Sequence, residues 1–154
     1  MVSLPPEFLE VEYAGSLATV LPAVARSLGV SADPGAFLGV EPPFVLPPAR
    51  SAVVALIDGL GAEQLRRRGG HAPFLRSLDS PAPALTCGFP ATTATSLGSL
   101  GTGLPPGAHG IVGWQVLMPE HDRLLNHLSW DDGPVPEDWQ PHRTLFQELE
   151  AAGV

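Results

Sequence analysis

The chain has 154 residues with 44% hydrophobic content, which predicts one globular domain with a substantial core. Its formal net charge of −8 argues against nucleic acid as a partner, because neutralising phosphates requires a basic surface. All 8 basic residues are arginines, and the lack of lysine excludes a Walker A loop and a Schiff-base mechanism.

Residues 1–50 predict an N-terminal lead-in segment that contains one helix. Apolar residues recur at near-helical spacing between Ser16 and Leu28, with Ser16 as the N-cap and Gly29 as the stop. Pro22 would kink this helix or shift its start. The first residues lack the basic region and apolar run of a secretory signal, and no stretch has the length of a membrane span. We therefore expect a cytoplasmic protein with no membrane partner.

The predicted catalytic portion covers residues 51–154 and begins with a strand. Residues 52–57 are continuously apolar and rich in β-branched side chains, as is typical of a strand buried on both faces of a parallel sheet. Asp58 ends that strand, and glycines at 59 and 61 let the chain turn sharply. In open α/β sheets, ligands bind at the carboxyl ends of strands. Asp58 is therefore a candidate metal ligand.

Two short helices are predicted next, over residues 62–68 and 73–78, the first of them ended by two glycines. Cys87 follows in an apolar stretch. As the single cysteine it has no internal disulfide partner, and we expect it to pack in the core as a small apolar residue.

Residues 89–114 are the most informative segment. A proline, a cluster of hydroxyl side chains and then small and apolar residues predict a strand end that turns into a helix near Thr93. The first backbone N–H groups of such a helix lack intrahelical partners and bind anions. A threonine hydroxyl placed there lies beside donors that stabilise negative charge developing on a phosphate. Because an alcohol is a poor nucleophile, it needs activation, which a divalent metal held by Asp58 would supply.

These segments resemble the type I phosphodiesterase/nucleotide pyrophosphatase family of the alkaline phosphatase superfamily. In that family a strand ends in Asp-Gly, and a later Phe-Pro-x-x-Thr precedes a helix and then Thr-Gly-x-x-Pro-x-x-His-Gly-Ile. The matching residues here are Asp58-Gly59, Phe89-Pro90-Ala91-Thr92-Thr93 and Thr102-Gly103-Leu104-Pro105-Pro106-Gly107-Ala108-His109-Gly110-Ile111. The Thr-Thr-Ala-Thr-Ser-Leu pattern is more similar to the bacterial branch, often labelled alkaline phosphatase family protein.

The resemblance implies an α/β, alkaline-phosphatase-like fold with a mostly parallel sheet flanked by helices. It implies that Thr93 is the nucleophile, transiently phosphorylated, and that Asp58 binds the Zn2+ ion that also contacts Thr93. A complete member holds two Zn2+ ions and acts on a small phosphate-ester substrate. Eukaryotic members have an asparagine where Trp114 stands, and that asparagine helps to hold the substrate phosphate. Trp114 is thus a candidate substrate-binding residue that offers an apolar or stacking surface.

The remaining segments predict a hairpin and a final helix. Residues 112–118 and 123–128 are short apolar or alternating runs separated by a turn. Thr144 and Gln147 form a capping-box pattern at the start of a helix that ends at Gly153. His109 is expected to support the loop near the site by hydrogen bonding. The other histidines lack metal-ligand spacing and are expected on the surface or in loops: His71, His121, His127 and His142.

A helix at the end of the sequence predicts a further strand, because parallel α/β folds alternate the two elements. The resemblance leads to the same expectation, since most zinc ligands of the family lie further along the chain. We therefore expect the N-terminal part of a catalytic domain, incomplete at its C-terminus and inactive alone, with at most one partial zinc site. Its open sheet edge would favour self-association. The alternative is a non-catalytic remnant or interaction module that retains the front half of the fold.

Overall fold

The structure is a computed structural model that describes residues 13–30, 42–78, 85–131 and 133–154. Much of the predicted lead-in segment, residues 1–12 and 31–41, lies outside the described residues. The helices are α1 Val20–Ser27, α2 Ala62–Arg67, α3 Pro73–Ser77, α4 Thr93–Thr102, α5 Pro106–His109, α6 Pro136–Trp139 and α7 Leu145–Ala151. The strands are β1 Gln115–Met118 and β2 Arg123–Asn126, and short 3-10 turns cover Leu17–Thr19, Gly69–His71 and Pro119–His121.

The first helix follows the signals in the sequence. Ser16 is the N-cap, and its hydroxyl accepts a hydrogen bond of 3.3 Å from the N–H of Ala18 before the 3-10 turn leads into α1. Pro22 lies in the first turn of α1, where a backbone N–H has no intrahelical acceptor, so the helix tolerates it. Gly29 follows the helix at φ +80° and ends it as predicted.

The core forms where α1, α4 and α7 pack together. Each helix contributes one leucine to the central cluster, namely Leu21, Leu100 and Leu145. A fully buried leucine side chain stabilises the fold by about 1.5–3 kcal/mol. The helix of the predicted lead-in segment therefore shares a core with the helix that begins at Thr93. The division of the chain at residue 50 stays a prediction.

A short parallel contact also joins the start of the described chain to the segment before α4. The N–H of Leu17 donates to the carbonyl of Thr86 at 2.9 Å, and the N–H of Thr86 donates to the carbonyl of Gly15 at 2.8 Å. Among the described residues, this isolated bridge between Ser16 and Thr86 is the only parallel pairing.

Residues 52–57, predicted as a buried strand, are exposed and belong to no strand in the described structure. Val53 is 95% exposed, and α2 and α3, which form close to the predicted positions, also bury no residue. The prediction of a buried strand is wrong for this structure. Burial of such a run requires strands on both edges and helices on both faces. The described part of the chain supplies helices and a small antiparallel sheet, compatible with the α/β class, and the mostly parallel sheet is not seen there.

The predicted hairpin is confirmed. The strands β1 and β2 pair antiparallel, with Gln115 opposite Asn126 and Met118 opposite Arg123. Met118 and Leu125 are buried while Leu117 and Leu124, the residues before them on the strands, are exposed, which is the alternation expected of a sheet with one face on the core. The 3-10 turn between the strands ends at Asp122, which has a left-handed φ of +46°.

The capping box at α7 is also confirmed. The N–H of Thr144 donates to Oε1 of Gln147 at 2.7 Å, and the N–H of Gln147 donates to Oγ1 of Thr144 at 3.3 Å. The two bonds satisfy donors that the first helical turn leaves free. Across the described ranges, no helix has the length and apolar character needed to cross a membrane.

Candidate active site at the start of α4

Three threonines surround the start of α4, and two of them form its cap. Thr92 has extended backbone angles, and its hydroxyl accepts a hydrogen bond of 3.4 Å from the N–H of Thr95. The same hydroxyl donates to Oγ1 of Thr95 at 2.9 Å. Because Thr95 is fully buried and Thr92 is engaged in the cap, the half-buried Thr93 is the threonine of this group whose hydroxyl can reach a ligand.

Thr93 and Asp58 lie side by side although 35 residues separate them. Oγ1 of Thr93 donates a hydrogen bond of 3.4 Å to Oδ2 of Asp58. Asp58 lies in a turn with Gly59, whose φ of +68° suits glycine and few other residues. The closeness of the two side chains and the start of the helix at Thr93 both agree with the sequence prediction. The catalytic and metal-binding roles of the pair stay predictions.

The separation of the two oxygens suits a shared metal ion. In a tetrahedral site with metal–oxygen distances of about 2.0–2.2 Å, two oxygen ligands lie about 3.4 Å apart. Oγ1 of Thr93 and Oδ2 of Asp58 have this separation, 3.4 Å. Within the described ranges, no group of three or more His, Cys, Asp or Glu residues could hold a metal ion. The pair therefore forms a partial site in this part of the chain.

The first turn of α4, where Thr93 lies, has backbone N–H groups without an acceptor in the helix. The first i to i−4 hydrogen bond runs from the N–H of Ser96 to the carbonyl of Thr92, at 2.9 Å. The N–H groups of Thr93 and Ala94 come before that bond and have no acceptor within the helix. With the helix dipole they favour an anion at this end of the helix.

His109 lies behind α4 and is 1% exposed. Its Nε2 is 3.0 Å from the hydroxyl of Ser99, and its Nδ1 accepts a hydrogen bond of 3.1 Å from the N–H of Ile111. Burial lowers the pKa of His109 to about 4, so the ring is neutral at pH 7. Since both nitrogens are engaged within the protein, His109 supports the loop rather than binding a metal ion, in agreement with the sequence interpretation.

Trp114 lies just before β1 and is half exposed. Its backbone carbonyl accepts a hydrogen bond of 2.8 Å from the N–H of His127. In the described structure its indole forms no hydrogen bond with Asp58 or Thr93. The assignment of Trp114 to substrate binding stays a prediction.

Two other expectations are corrected by the structure. Cys87 is exposed, not buried in the core. His127 lies in the turn after β2, which agrees with the loop alternative, but its side chain is buried and not on the surface. Its Nδ1 donates to the carbonyl of Gly113 at 2.7 Å, and its Nε2 has no hydrogen-bond partner within the described residues. The ring packs 5.0 Å from the Trp130 ring and 5.2 Å from that of Trp139. No local spacing signals this burial, because Trp139 belongs to a separate helix.

Two cavities flank the hairpin and its neighbours. One, of about 460 Å³, includes Arg123 and Trp139 in its lining. The other, of about 330 Å³, lies between Trp130 and the start of α7. Neither of these two cavities is lined by Asp58 or Thr93.

Comparison with known families agrees with this geometry. The family model for type I phosphodiesterase / nucleotide pyrophosphatase matches residues 52–154, which include Asp58, Thr93 and Trp114. The match covers more than half of the chain and confirms the resemblance found in its motifs. No solved structure matches the chain.

Proposed function

Because the chain belongs to the type I phosphodiesterase/nucleotide pyrophosphatase family, we propose that it carries the nucleophile of a metal-dependent phosphoesterase. Thr93 is the proposed nucleophile, and Asp58 is the proposed ligand of a Zn2+ ion that also contacts Thr93. The observation that carries the proposal is the 3.4 Å contact between the two side chains at the start of α4. The substrate class is a small phosphate diester or pyrophosphate, as expected for the family.

Asp58, Thr93 and the start of α4 are the groups that we propose for the first step of the reaction, the transfer of the phosphoryl group from the substrate to Thr93. Asp58 accepts the hydrogen bond of the Thr93 hydroxyl and so directs its oxygen. As the bond from Oγ1 to phosphorus forms, the hydroxyl proton passes to solvent and the bond from phosphorus to the leaving-group oxygen breaks. The leaving group departs with the electron pair and takes up a proton from solvent. The phosphoryl group, with its remaining ester group, stays on Thr93 until water releases it. The free N–H groups of Thr93 and Ala94 stabilise charge on the phosphate oxygens. Asp58 and Thr93 would hold the zinc ion, which would lower the pKa of the hydroxyl and neutralise further charge.

Trp114 is proposed to contact the part of the substrate away from the phosphate. Its half-exposed indole offers an apolar face where eukaryotic members of the family have an amide side chain. An aromatic or apolar leaving group would stack there, with a contribution of about 0.5–1.5 kcal/mol beyond its buried area.

We also propose that residues 1–154 by themselves bind zinc weakly and turn over slowly. A catalytic zinc site has typically three protein ligands and one open position. Asp58 and Thr93 supply two, so the ion would be held loosely. The exposed segment 51–57 would in addition favour association between copies through its unpaired backbone.

The test of the function is covalent and does not need fast turnover. The purified chain is incubated with Zn2+ and a chromogenic phosphodiester, quenched in acid, and examined by mass spectrometry for a phosphoryl group on Thr93 that still carries the second ester group of the substrate. We expect the adduct in the wild type and in Thr93→Ser, and not in Thr93→Ala or Asp58→Asn.

Ser96→Ala is the matched control, because Ser96 is a hydroxyl residue of the same helical turn with no proposed role. The control should keep the adduct. A phosphoryl adduct on another residue, or an adduct that survives in Thr93→Ala, would refute the assignment of the nucleophile. The lack of any adduct with zinc present would favour the alternative, a non-catalytic interaction module.

A further inference from the structure

The imidazole of His109 packs directly against the backbone of α4. Nε2 lies 3.0 Å from the hydroxyl of Ser99, and both side chains are buried. At the preceding position, a Cβ atom added to Gly98 would lie 2.8 Å from Cε1 and 3.0 Å from Nδ1 of the ring. Two successive residues of the helix are thus in contact with one ring, through a hydrogen bond and a close backbone approach.

The hydrogen bonds also determine which ring nitrogen carries the proton. The N–H of Ile111 donates to Nδ1 at 3.1 Å, so Nδ1 presents its lone pair. In the neutral ring the proton is then on Nε2, which donates to Oγ of Ser99. The ring of His109 therefore connects the N–H of Ile111, in the loop after α5, to the hydroxyl of Ser99 on α4.

The residues on either side of His109 are held from the opposite direction. Nε1 of Trp139 donates to the carbonyl of Gly110 at 3.2 Å, and Nε2 of His142 lies 3.1 Å from the carbonyl of Ala108. The helix α5 is therefore attached to α6 and to the segment before α7, and His109 transmits that attachment to α4.

We propose that His109 is a positioning residue that sets the direction of α4 and through it the placement of Thr93 beside Asp58. This inference rests on the proposed function. Thr93 is six residues before Ser99, which is about 9 Å along a helix that rises 1.5 Å per residue. A tilt of about 10° at Ser99 would move Thr93 by about 1.5 Å. Misplacement of a reacting group by about 1 Å can lower the rate roughly 100-fold.

Two substitutions separate the two hydrogen bonds of the ring. His109→Gln places an amide donor near the position of Nε2 and keeps a bond to Ser99, whereas His109→Asn places an acceptor near Nδ1 and keeps only the bond from Ile111. If the hydrogen bond to Ser99 positions α4, the His109→Gln variant should retain most of the rate at which the adduct forms on Thr93. The Asn variant should lose about 100-fold in rate with KM changed by less than about twofold.

Ser99→Ala is the second variant, since it removes the acceptor on α4 and leaves the histidine in place. It should reproduce the loss seen in His109→Asn. His121→Asn, a change of an exposed histidine in the hairpin turn, is the matched control and should behave as the wild type.

Nitrogen NMR of the labelled chain tests the arrangement without any catalysis. The wild type should show His109 protonated on Nε2 and unprotonated on Nδ1, and both His109→Asn and Ser99→Ala should shift the backbone amide resonances of Thr93 and Ala94. Protonation on Nδ1 instead, or unmoved amide resonances in both variants, would overturn the proposal. A wild type that forms no adduct on Thr93 would refute the proposed function, and the NMR result would still decide the role of His109.

Discussion

Gly98 lies so close to the ring of His109 that a Cβ atom there would be 2.8 Å from Cε1. Further along the same helix, a Cβ atom on Gly101 would have no other atom within 4 Å. The packing of α4 therefore requires a glycine at position 98, whereas position 101 has room for a side chain. The two positions form a natural pair for mutation.

Gly101→Ala should stabilise the protein by about 0.5–1 kcal/mol, because alanine is the better residue in a helix and nothing obstructs its methyl group. Gly98→Ala should instead destabilise it by about 1–3 kcal/mol, the usual cost of forcing an extra carbon into a packed interior. Urea denaturation followed by circular dichroism measures both changes. Equal effects at the two positions would contradict the close contact between Gly98 and the ring of His109.

The stability of the fold should fall in mild acid because of His109. Its pKa is lowered by burial from 6.5 to about 4, so the fold favours the neutral ring. The stabilisation by the neutral ring is complete above about pH 6.5, declines as the pH falls toward 4, and amounts to roughly 3 kcal/mol at most.

Carboxylates also titrate in this pH range. The effect of His109 is therefore measured as the difference in free energy of unfolding between the wild type and a variant without the histidine. The free energy of unfolding of the wild type minus that of His109→Gln should become smaller between pH 7 and pH 4.5, since glutamine does not titrate. Parallel stability curves for the two proteins would show that His109 has an ordinary pKa.

The two threonine caps should differ in strength. Thr144→Ala at α7 should cost about 1 kcal/mol, the usual effect of losing an N-cap. Thr92→Ala at α4 should cost about 1 kcal/mol more, because it also removes the partner of the buried hydroxyl of Thr95. Thr92→Ser should recover most of the loss. Denaturant melts of the three variants decide this, and equal costs at the two caps would mean that the hydroxyl of Thr95 finds another partner.

Leu145 and its neighbour Phe146 should respond in opposite ways to truncation. Leu145 is 1% exposed and lies in the cluster shared by α1, α4 and α7, whereas Phe146 is 61% exposed. Leu145→Ala should destabilise the fold by about 2–5 kcal/mol, and Phe146→Ala should change it by less than about 0.5 kcal/mol. Thermal unfolding of the two variants is sufficient. A large loss in Phe146→Ala would show that this side chain is covered in solution.

The elements that the sequence predicts well are those with local signals. The start of α4 near Thr93 follows from the proline and the cluster of hydroxyl side chains, and the capping box of Thr144 and Gln147 marks α7. The hairpin follows from two short runs on either side of a turn. The contact between Thr93 and Asp58 was anticipated because both motifs belong to one family pattern whose parts meet at one site.

The predictions that failed depend on contacts distant in sequence. An apolar run such as residues 52–57 is buried only if other strands and helices cover it, and the described elements leave it exposed. Cys87 is also exposed. His127 is buried between Trp130 and Trp139, and Trp139 approaches from a separate helix. Hydrophobicity and residue spacing indicate which secondary structure a segment can form. Whether the segment is buried depends on the elements that pack against it in the fold.

Asp58 directly follows the exposed segment 51–57, whereas Thr93 is anchored to the core through α4. One half of the proposed metal site is therefore attached to a surface that a partner could cover. A partner that covered this segment only when Asp58 is at its observed distance from Thr93 would raise the affinity for zinc, and zinc would raise the affinity for that partner by the same factor. The zinc affinity measured in a titration would then show whether a partner covers segment 51–57, although the ion does not contact that segment.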